Sequence, residues 1–330
     1  MKYIKSFVIL LTTLFIIMTG FIYYIYHSFT SSSINENTYF IVNKGDYFPV
    51  IVDNLTKQKL VNHKFKKIFL YSAKLLNKNN LNIQAGEYLF EKDASLFDIL
   101  QTLKNNKINY RKLTFAEGLS NDTILKIIDS TYGLTGDMPT ESIKEGTLLP
   151  ETYLYTYGDS KKDMIQRMQQ AMTDFVNQEW EKRAKDLPFK TKEELLSLAS
   201  IIEKETGIPD ERYKVASVFV NRLKKGMKLQ SDPTVVYAFT KGNKDLEREI
   251  RQSDLTRVSE YNTYIINGIP KLPIANPGKD AIRATLNPAK TDYLYFVATG
   301  TGGHNFSKTL EEHNNYVKEY RKIISQTKKK

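Results

Sequence analysis

The 330-residue chain contains no cysteine. That removes a disulfide framework, a thiolate metal site and a cysteine nucleophile at one stroke. It suits an extracytoplasmic bacterial protein, and many cytosolic proteins share it. Histidine is scarce, and His304 and His313 lack the H-E-x-x-H spacing of a zinc hydrolase. No G-x-S-x-G is present, so an α/β-hydrolase nucleophile is excluded. The run TGTGGHNFSKTLEEH from Thr299 reads as a strand-to-helix loop, the setting of a phosphate cradle. Its G-x-G-G spacing matches neither nucleotide fingerprint, and no acidic ribose ligand follows. There is no internal repeat. Acidic residues are the minority, 37 against 48 Lys and Arg, for a net charge of +11. Such a balance implies an anionic partner: nucleic acid, a membrane surface or an acidic polymer. Part of the excess is the solvated tail at residues 326–330.

A long uncharged run is present at the start. Residues 1–6 carry Lys2 and Lys5, and FVILLTTLFIIMTGFIYYIY then runs from Phe7 to Tyr26 without a charge. That length spans a bilayer. Tyr23, Tyr24 and Tyr26 fit an interfacial belt, and no small-residue cleavage site follows, so residues 7–27 are expected to form an uncleaved anchor. The leading lysines place the N-terminus in the cytoplasm and the remainder outside, which removes nucleic acid as a partner. The serine-rich residues 28–37 read as a flexible spacer. A small α/β module is expected over 38–108: a strand near Tyr39, a Lys44-Gly45-Asp46 turn, helices, a strand at Gly86–Phe90, and a helix capped by Ser95. A connecting region spans 109–190. It has a strand over Lys112–Glu117, a helix over Ser120–Tyr132, a tyrosine cluster at Tyr153, Tyr155 and Tyr157, and a long helix over Met164–Ala184 that contains Trp180, the single tryptophan. Alternating tyrosines suit a packed strand, and equally a surface that stacks on sugar faces.

The stretch from Thr191 to Val236 organises the rest. Leu195, Leu196, Leu198, Ala199, Ile201 and Ile202 form a broad apolar stripe at helical spacing. Lys204 falls opposite it. Glu205 lies almost under Leu198 at one edge, and Glu203 near Leu196 at the other. Gly207 and Pro209 should end the helix as a C′ glycine and a following proline. A second amphipathic helix and a polar turn, Gln230-Ser231-Asp232-Pro233, come next. A carboxylate beside an apolar stripe loses hydration, and the negative helix end disfavours the anion further, although Lys204 opposes this. Both main effects raise a pKa, as a general acid requires. Read from the pattern alone, Glu203-Lys204-Glu205 is also the ordinary solvated end of a helix.

LASIIEKETGIPDERYKVASVFVNRLKKGMKLQSDPTVVYA, followed by YNTYIINGIPKLPIANPGKDAIRATLNPAKTDYLYFVATGTGGHNFSKTLEEHN, resembles the MltG (YceG-like) endolytic murein transglycosylases. The likeness runs from about Phe115 onward and is weaker before it. It implies an α+β protein with a transmembrane helix, a LysM-like module over 38–108 and a mixed α/β catalytic domain over 191–325. It also implies an enzyme of the cytoplasmic membrane, with the catalytic domain outside, that cleaves MurNAc-GlcNAc bonds within nascent glycan strands and leaves 1,6-anhydro ends. Partners in peptidoglycan synthesis would follow, though no residue identifies them. No cofactor and no metal are called for. Glu205-Thr206 is similar to the Glu-Ser/Thr pair of lytic transglycosylases, which makes Glu205 the expected acid and Glu203 its competitor. Gln230, Ser231, Asp232, Tyr261, Asn262 and Glu151 are expected at lower rank as glycan-holding residues. A membrane-tethered scaffold that binds peptidoglycan without cleaving it would use the same anchor, module and charge.

Overall fold

The computed structural model describes residues 2–76, 82–243 and 246–327. The chain forms two compact units. One contains the residues up to Arg111 together with Leu154–Asp159; the other contains Lys112–Tyr153 and the chain from Ser160. Together they make a mixed α+β protein.

The first unit opens with α1 (Lys2–Thr30), and its Tyr3–Thr30 stretch is long and apolar enough to cross a membrane. β1 (Thr38–Val42), α2 (Phe48–Lys57), α3 (Lys66–Leu76), β2 (Gly86–Phe90) and α4 (Leu96–Lys104) follow. β1 and β2 are antiparallel, with Thr38 opposite Phe90 and Val42 opposite Gly86. Phe40, Val52, Leu55, Tyr88, Ile99 and Leu103 form the core. Ser95 caps α4 in a reciprocal capping box with Asp98, as its sequence position foretells. The expected spacer is not free along its length. Ile34 is buried in this core, and the Ser33 amide donates to the Ala94 carbonyl at 2.9 Å.

β3 (Arg111–Thr114), α5 (Asn121–Ser130) and β4 (Thr152–Tyr155) come next, and β3 pairs with β4. Helices α6 (Lys161–Trp180), α7 (Lys192–Glu205), α8 (Pro209–Lys224), α9 (Asp232–Thr240), α10 (Gln252–Leu255) and α11 (Lys279–Leu286) build the body of the second unit. A hairpin of β5 (Tyr295–Ala298) and β6 (His304–Ser307) and then α12 (Leu310–Thr327) complete it. α7 begins at a Thr191–Glu194 capping box. Leu195, Leu198, Ala199, Ile201 and Ile202 are fully buried as it packs on α8, α9 and α11. Phe219 of α8 meets Phe296 of β5 edge-on at 5.8 Å, which holds the hairpin to the helix.

Three local expectations change. α6 starts earlier than its periodicity suggests because Ser160 caps it, and it ends at Trp180 with Glu181 as its C-cap. The polar turn at 230–233 is the start of α9, whose Val235, Val236, Tyr237, Phe239 and Thr240 are weak helix formers. Packing of Val235 and Tyr237 in the core overrides that propensity. The glycine run after Thr299 joins two antiparallel strands, since β6 intervenes before α12, so the strand-to-helix setting of a phosphate loop is absent there.

Asn276 ties the second unit together. It is fully buried; its Oδ1 accepts from the Leu148 amide at 2.9 Å, and its Nδ2 donates to the Leu119 carbonyl at 3.0 Å and to Asn121 Oδ1 at 2.8 Å. Its backbone pairs in both directions with the Gly118–Leu119 turn. Asn276→Ala would orphan buried groups on two other loops, and a loss of about 2–4 kcal/mol in denaturant unfolding is expected.

Candidate active site

Glu205 is the last residue of α7. The helix is not closed by a left-handed glycine. Thr206 caps it in an extended conformation (φ −146°), and its Oγ1 accepts from the Ile208 amide at 3.1 Å. Pro209 then opens α8. This short exit aims the Glu205 carboxyl inward rather than along the helix axis into solvent. The residue as a whole keeps some exposure, but its carboxyl is enclosed by protein.

The partner of that carboxyl comes from the start of α9. Ser231 Oγ donates to Glu205 Oε1 at 2.5 Å. Ser231 faces α7 because Gln230, just before it, adopts a left-handed conformation (φ 50°). The Ser231 amide donates to Thr263 Oγ1 at 2.9 Å, and Thr234 Oγ1 donates to the Ser231 carbonyl at 2.6 Å. Thr263 is in turn placed by Asn262. The Asn262 amide group donates to the carbonyls of Leu255 and Arg257 at 3.1 and 2.8 Å, and its Oδ1 accepts from the Tyr264 amide at 3.0 Å. Tyr264 Oη then donates to Asp232 Oδ1 at 2.6 Å. Arg222 closes the arrangement from α8. Its guanidinium is buried and donates to the carbonyls of Leu229 and Leu294, each at 2.7 Å.

Burial pushes the Glu205 pKa up to about 7 from an ordinary 4.5; the Asp232 charge adds to the rise, while the Ser231 hydrogen bond and the Arg222 charge oppose it. Glu205 can therefore hold a proton near neutral pH and give it up without a large penalty. Asp232 is exposed and lines a cavity of about 340 Å³, together with Gly118, Lys204, Val236, Tyr237 and Ile274. That volume is within the range of small-ligand pockets.

The structure brings Glu205, Ser231 and Asp232 together, sets Gln230 and Asn262 behind Ser231, and places Glu203, Glu151 and Tyr261 elsewhere. Glu203 is also buried. It accepts from the Gly278 amide at 2.9 Å and faces Arg212 Nη2 at 3.4 Å. Its pKa is likewise raised, by burial first and by the charges of Glu117 and Asp280. It is committed to the N-terminus of α11, whereas the Glu205 carboxyl meets a hydroxyl. Glu151 pairs with Lys279 Nζ at 2.5 Å, and this hydrogen bond is the first cause of its lowered pKa. The Tyr261 ring is buried against Tyr237 at 4.9 Å, with Lys241 Nζ 4.1 Å from its centre, so it serves packing. Asn262 is fully buried and organises its own loop. Gln230 is exposed and contributes its backbone turn.

Arg222 and Tyr264 were not singled out from sequence. A signal for Arg222 exists: it falls three, four and seven residues after Phe219, Val218 and Val215, on the buried stripe of α8. Tyr264 had no comparable signal. Glu211, at the start of α8, holds the glycine run. It accepts from the His304 amide at 2.9 Å and meets His304 Nδ1 at 2.7 Å. Gly303 has φ 83°, in the left-handed region that favours glycine, and a Cβ there would sit 2.7 Å from Glu211 Oε1.

The YceG-like family model matches residues 40–319. The chain belongs to the YceG-like family. It is 35% identical over 310 residues to an endolytic murein transglycosylase of Bacillus subtilis, covering 84% of this chain and 83% of that protein. A protein of the same description from Streptococcus pneumoniae is 29% identical over 343 residues, covering 90% of this chain and 61% of its own length. A crystal structure of a YceG-like protein from Listeria monocytogenes, 33% identical, superposes with a TM-score of 0.51 over 85% of this chain and 99% of that one. The family match takes in both units, so the helix end that carries Glu205 belongs to the shared part of the chain.

The enclosed carboxyl has a thermodynamic consequence. A carboxyl whose folded pKa is raised favours folding below its unfolded pKa and loses that contribution as pH climbs through the folded value. Glu205→Gln is therefore expected to gain stability relative to the parent between pH 4.5 and pH 8, since the parent pKa rises from 4.5 to about 7 on folding. The full difference is about 3 kcal/mol, and melting curves of both proteins across that range measure it.

Proposed function

We propose that Glu205 is the general acid of a peptidoglycan lytic transglycosylase, with the cavity beside Asp232 receiving the glycan. The observation that carries this reading is an enclosed glutamate held by one serine hydroxyl, with Asp232, the residue after that serine, lining a cavity of sugar size; burial pushes the glutamate's pKa up to about 7. The murein transglycosylase relatives supply the substrate: a glycan strand of alternating N-acetylmuramic acid and N-acetylglucosamine.

The protonated carboxyl gives its proton to the glycosidic oxygen as the bond to the muramyl C1 breaks. The resulting carboxylate then takes the proton of the C6 hydroxyl of the same muramyl residue as that oxygen bonds to C1. One strand leaves with a free hydroxyl, the other ends in a 1,6-anhydro ring, and no water is consumed. An internal nucleophile benefits from high effective concentration, so no second carboxylate is required to activate water.

The remaining assignments follow the same reading. α1 anchors the chain in the cytoplasmic membrane, with Lys2 and Lys5 inside and residues 191–325 outside as the catalytic domain. Residues 38–108 form a LysM-like subdomain, for which the order strand, helix, helix, strand from β1 to β2 is support. Cleavage inside nascent strands would end their elongation and place the enzyme beside the synthesis machinery.

The test is incubation of the full chain in detergent with uncrosslinked glycan strands, with products read by mass spectrometry. Internal fragments with 1,6-anhydro ends are expected. Glu205→Gln should reduce their formation by a factor of about 10³ or more with the fold intact, while Glu203→Gln keeps substantial activity. Hydrated reducing ends would identify a hydrolase, and bound but intact strands would identify a scaffold. Because the acid must start protonated, kcat/KM is expected to fall as pH rises through about 7.

A further inference from the structure

Asp232 and Tyr264 form a pair that a single-acid mechanism leaves unused. Asp232 is the first residue of α9. An aspartate there usually complements the helix dipole or caps its amides. α9 has no side-chain cap bond, and the hydrogen bond that Asp232 accepts comes from the Tyr264 hydroxyl, at 2.6 Å. Asp232 is exposed and lines the cavity. Its carboxylate is thus held where it faces the cavity.

Tyr264 is itself fixed at both ends of its peptide unit. Its amide donates to Asn262 Oδ1 at 3.0 Å, and its carbonyl accepts from Lys228 Nζ at 3.1 Å. Its ring is partly buried, and burial followed by the Asp232 hydrogen bond raises its pKa, so the hydroxyl remains a donor throughout the neutral range. Asp232 directly follows Ser231, whose Oγ donates to Glu205 Oε1 at 2.5 Å, which places the pair beside Glu205.

We propose that Tyr264 is a positioning residue for glycosidic cleavage: its hydroxyl holds the Asp232 carboxylate against the cavity so that a fixed negative charge faces the sugar ring. The inference rests on the transglycosylase reading. As the bond from C1 to the glycosidic oxygen breaks, the electron pair leaves with that oxygen, which takes the proton of Glu205. Positive charge develops on C1 and the ring oxygen. A preorganised carboxylate stabilises that charge without forming a bond or moving a proton. The charge disappears when the C6 oxygen bonds to C1 and its proton returns to Glu205. Asp232 forms no bond and exchanges no proton in the step, and atoms and electrons balance without it.

The pair makes a specific kinetic demand. If Tyr264 acts only through Asp232, its hydroxyl matters only while the carboxylate is present. Steady-state kinetics of the full chain on uncrosslinked strands are to be measured for the parent, Tyr264→Phe, Asp232→Asn and the double variant, with melting temperatures alongside. Tyr264→Phe is expected to lower kcat about tenfold with KM within about twofold, the scale of one hydrogen bond to a charged group. Asp232→Asn should lower kcat more, and the double variant should match Asp232→Asn alone. An unchanged kcat in Tyr264→Phe, losses that multiply in the double variant, or a loss confined to KM or to melting temperature would overturn the proposal. Absence of cleavage by the parent chain would overturn the transglycosylase reading as well. Cleavage that needs Glu205 yet ignores Tyr264 would overturn this inference alone.

Discussion

Everything at the site depends on one enclosed carboxyl, that of Glu205. Enclosing a carboxylate without a cation in direct contact is unfavourable, and the surroundings are arranged to make it tolerable rather than to neutralise it. A serine hydroxyl donates to it, and the Arg222 charge acts on it while its own donors go to backbone carbonyls. Had a lysine or arginine met Glu205 directly, its carboxyl would stay ionised and could not serve as a proton donor. The left-handed turn at Gln230, the Thr234–Thr263 hydroxyl pair and the buried Asn262 all converge on presenting Ser231, and Ser231 sets the environment of Glu205.

The fold supplies rigidity at the cost of a conventional helix ending. α7 is locked by its apolar stripe and by two buried serines: Ser197 Oγ donates to the Pro270 carbonyl at 2.7 Å, and Ser200 Oγ accepts from the Ile274 amide at 3.0 Å. These bonds tie the helix to the segment that runs into Asn276. A left-handed glycine cap would have allowed the chain to turn away; the extended Thr206 keeps it tight, and α8 starts at Pro209. Glu205 therefore sits at the junction of two packed helices, where a carboxyl is positioned more closely than on a loop.

Much of this was legible in the sequence, and the parts that were not have physical reasons. The apolar stripe over Leu195–Ile202 and the two flanking glutamates were readable from helical periodicity, and so was the Ser95 cap. α9 was not, because its β-branched and aromatic residues carry no helical preference; it is helical because of what it packs against. Tyr261 and Asn262 drew attention as polar residues in a loop, yet one is packed in the core and the other satisfies that loop's own carbonyls. The residue of the same loop that reaches Asp232 is Tyr264. A one-dimensional pattern shows that a loop is rich in hydrogen-bonding groups; which of them turn outward is decided by backbone geometry that it does not contain.

Glu203 and Glu205 show the same division most sharply. Both lie at the edge of one stripe, two residues apart on one helix, and burial raises the pKa of both. A shifted pKa thus does not choose between them; their partners do. Glu203 accepts from the Gly278 amide at the start of α11 and faces a buried arginine, so its charge is part of how α7 and α11 are joined. Protonating it would weaken that junction. Glu205 has a hydroxyl donor and a neighbouring carboxylate, and either protonation state can be accommodated without breaking an ion pair. A group that must exchange a proton twice in each turnover has to be able to change charge without loosening the scaffold that aims it. Of the two glutamates at this helix end, Glu205 meets that condition.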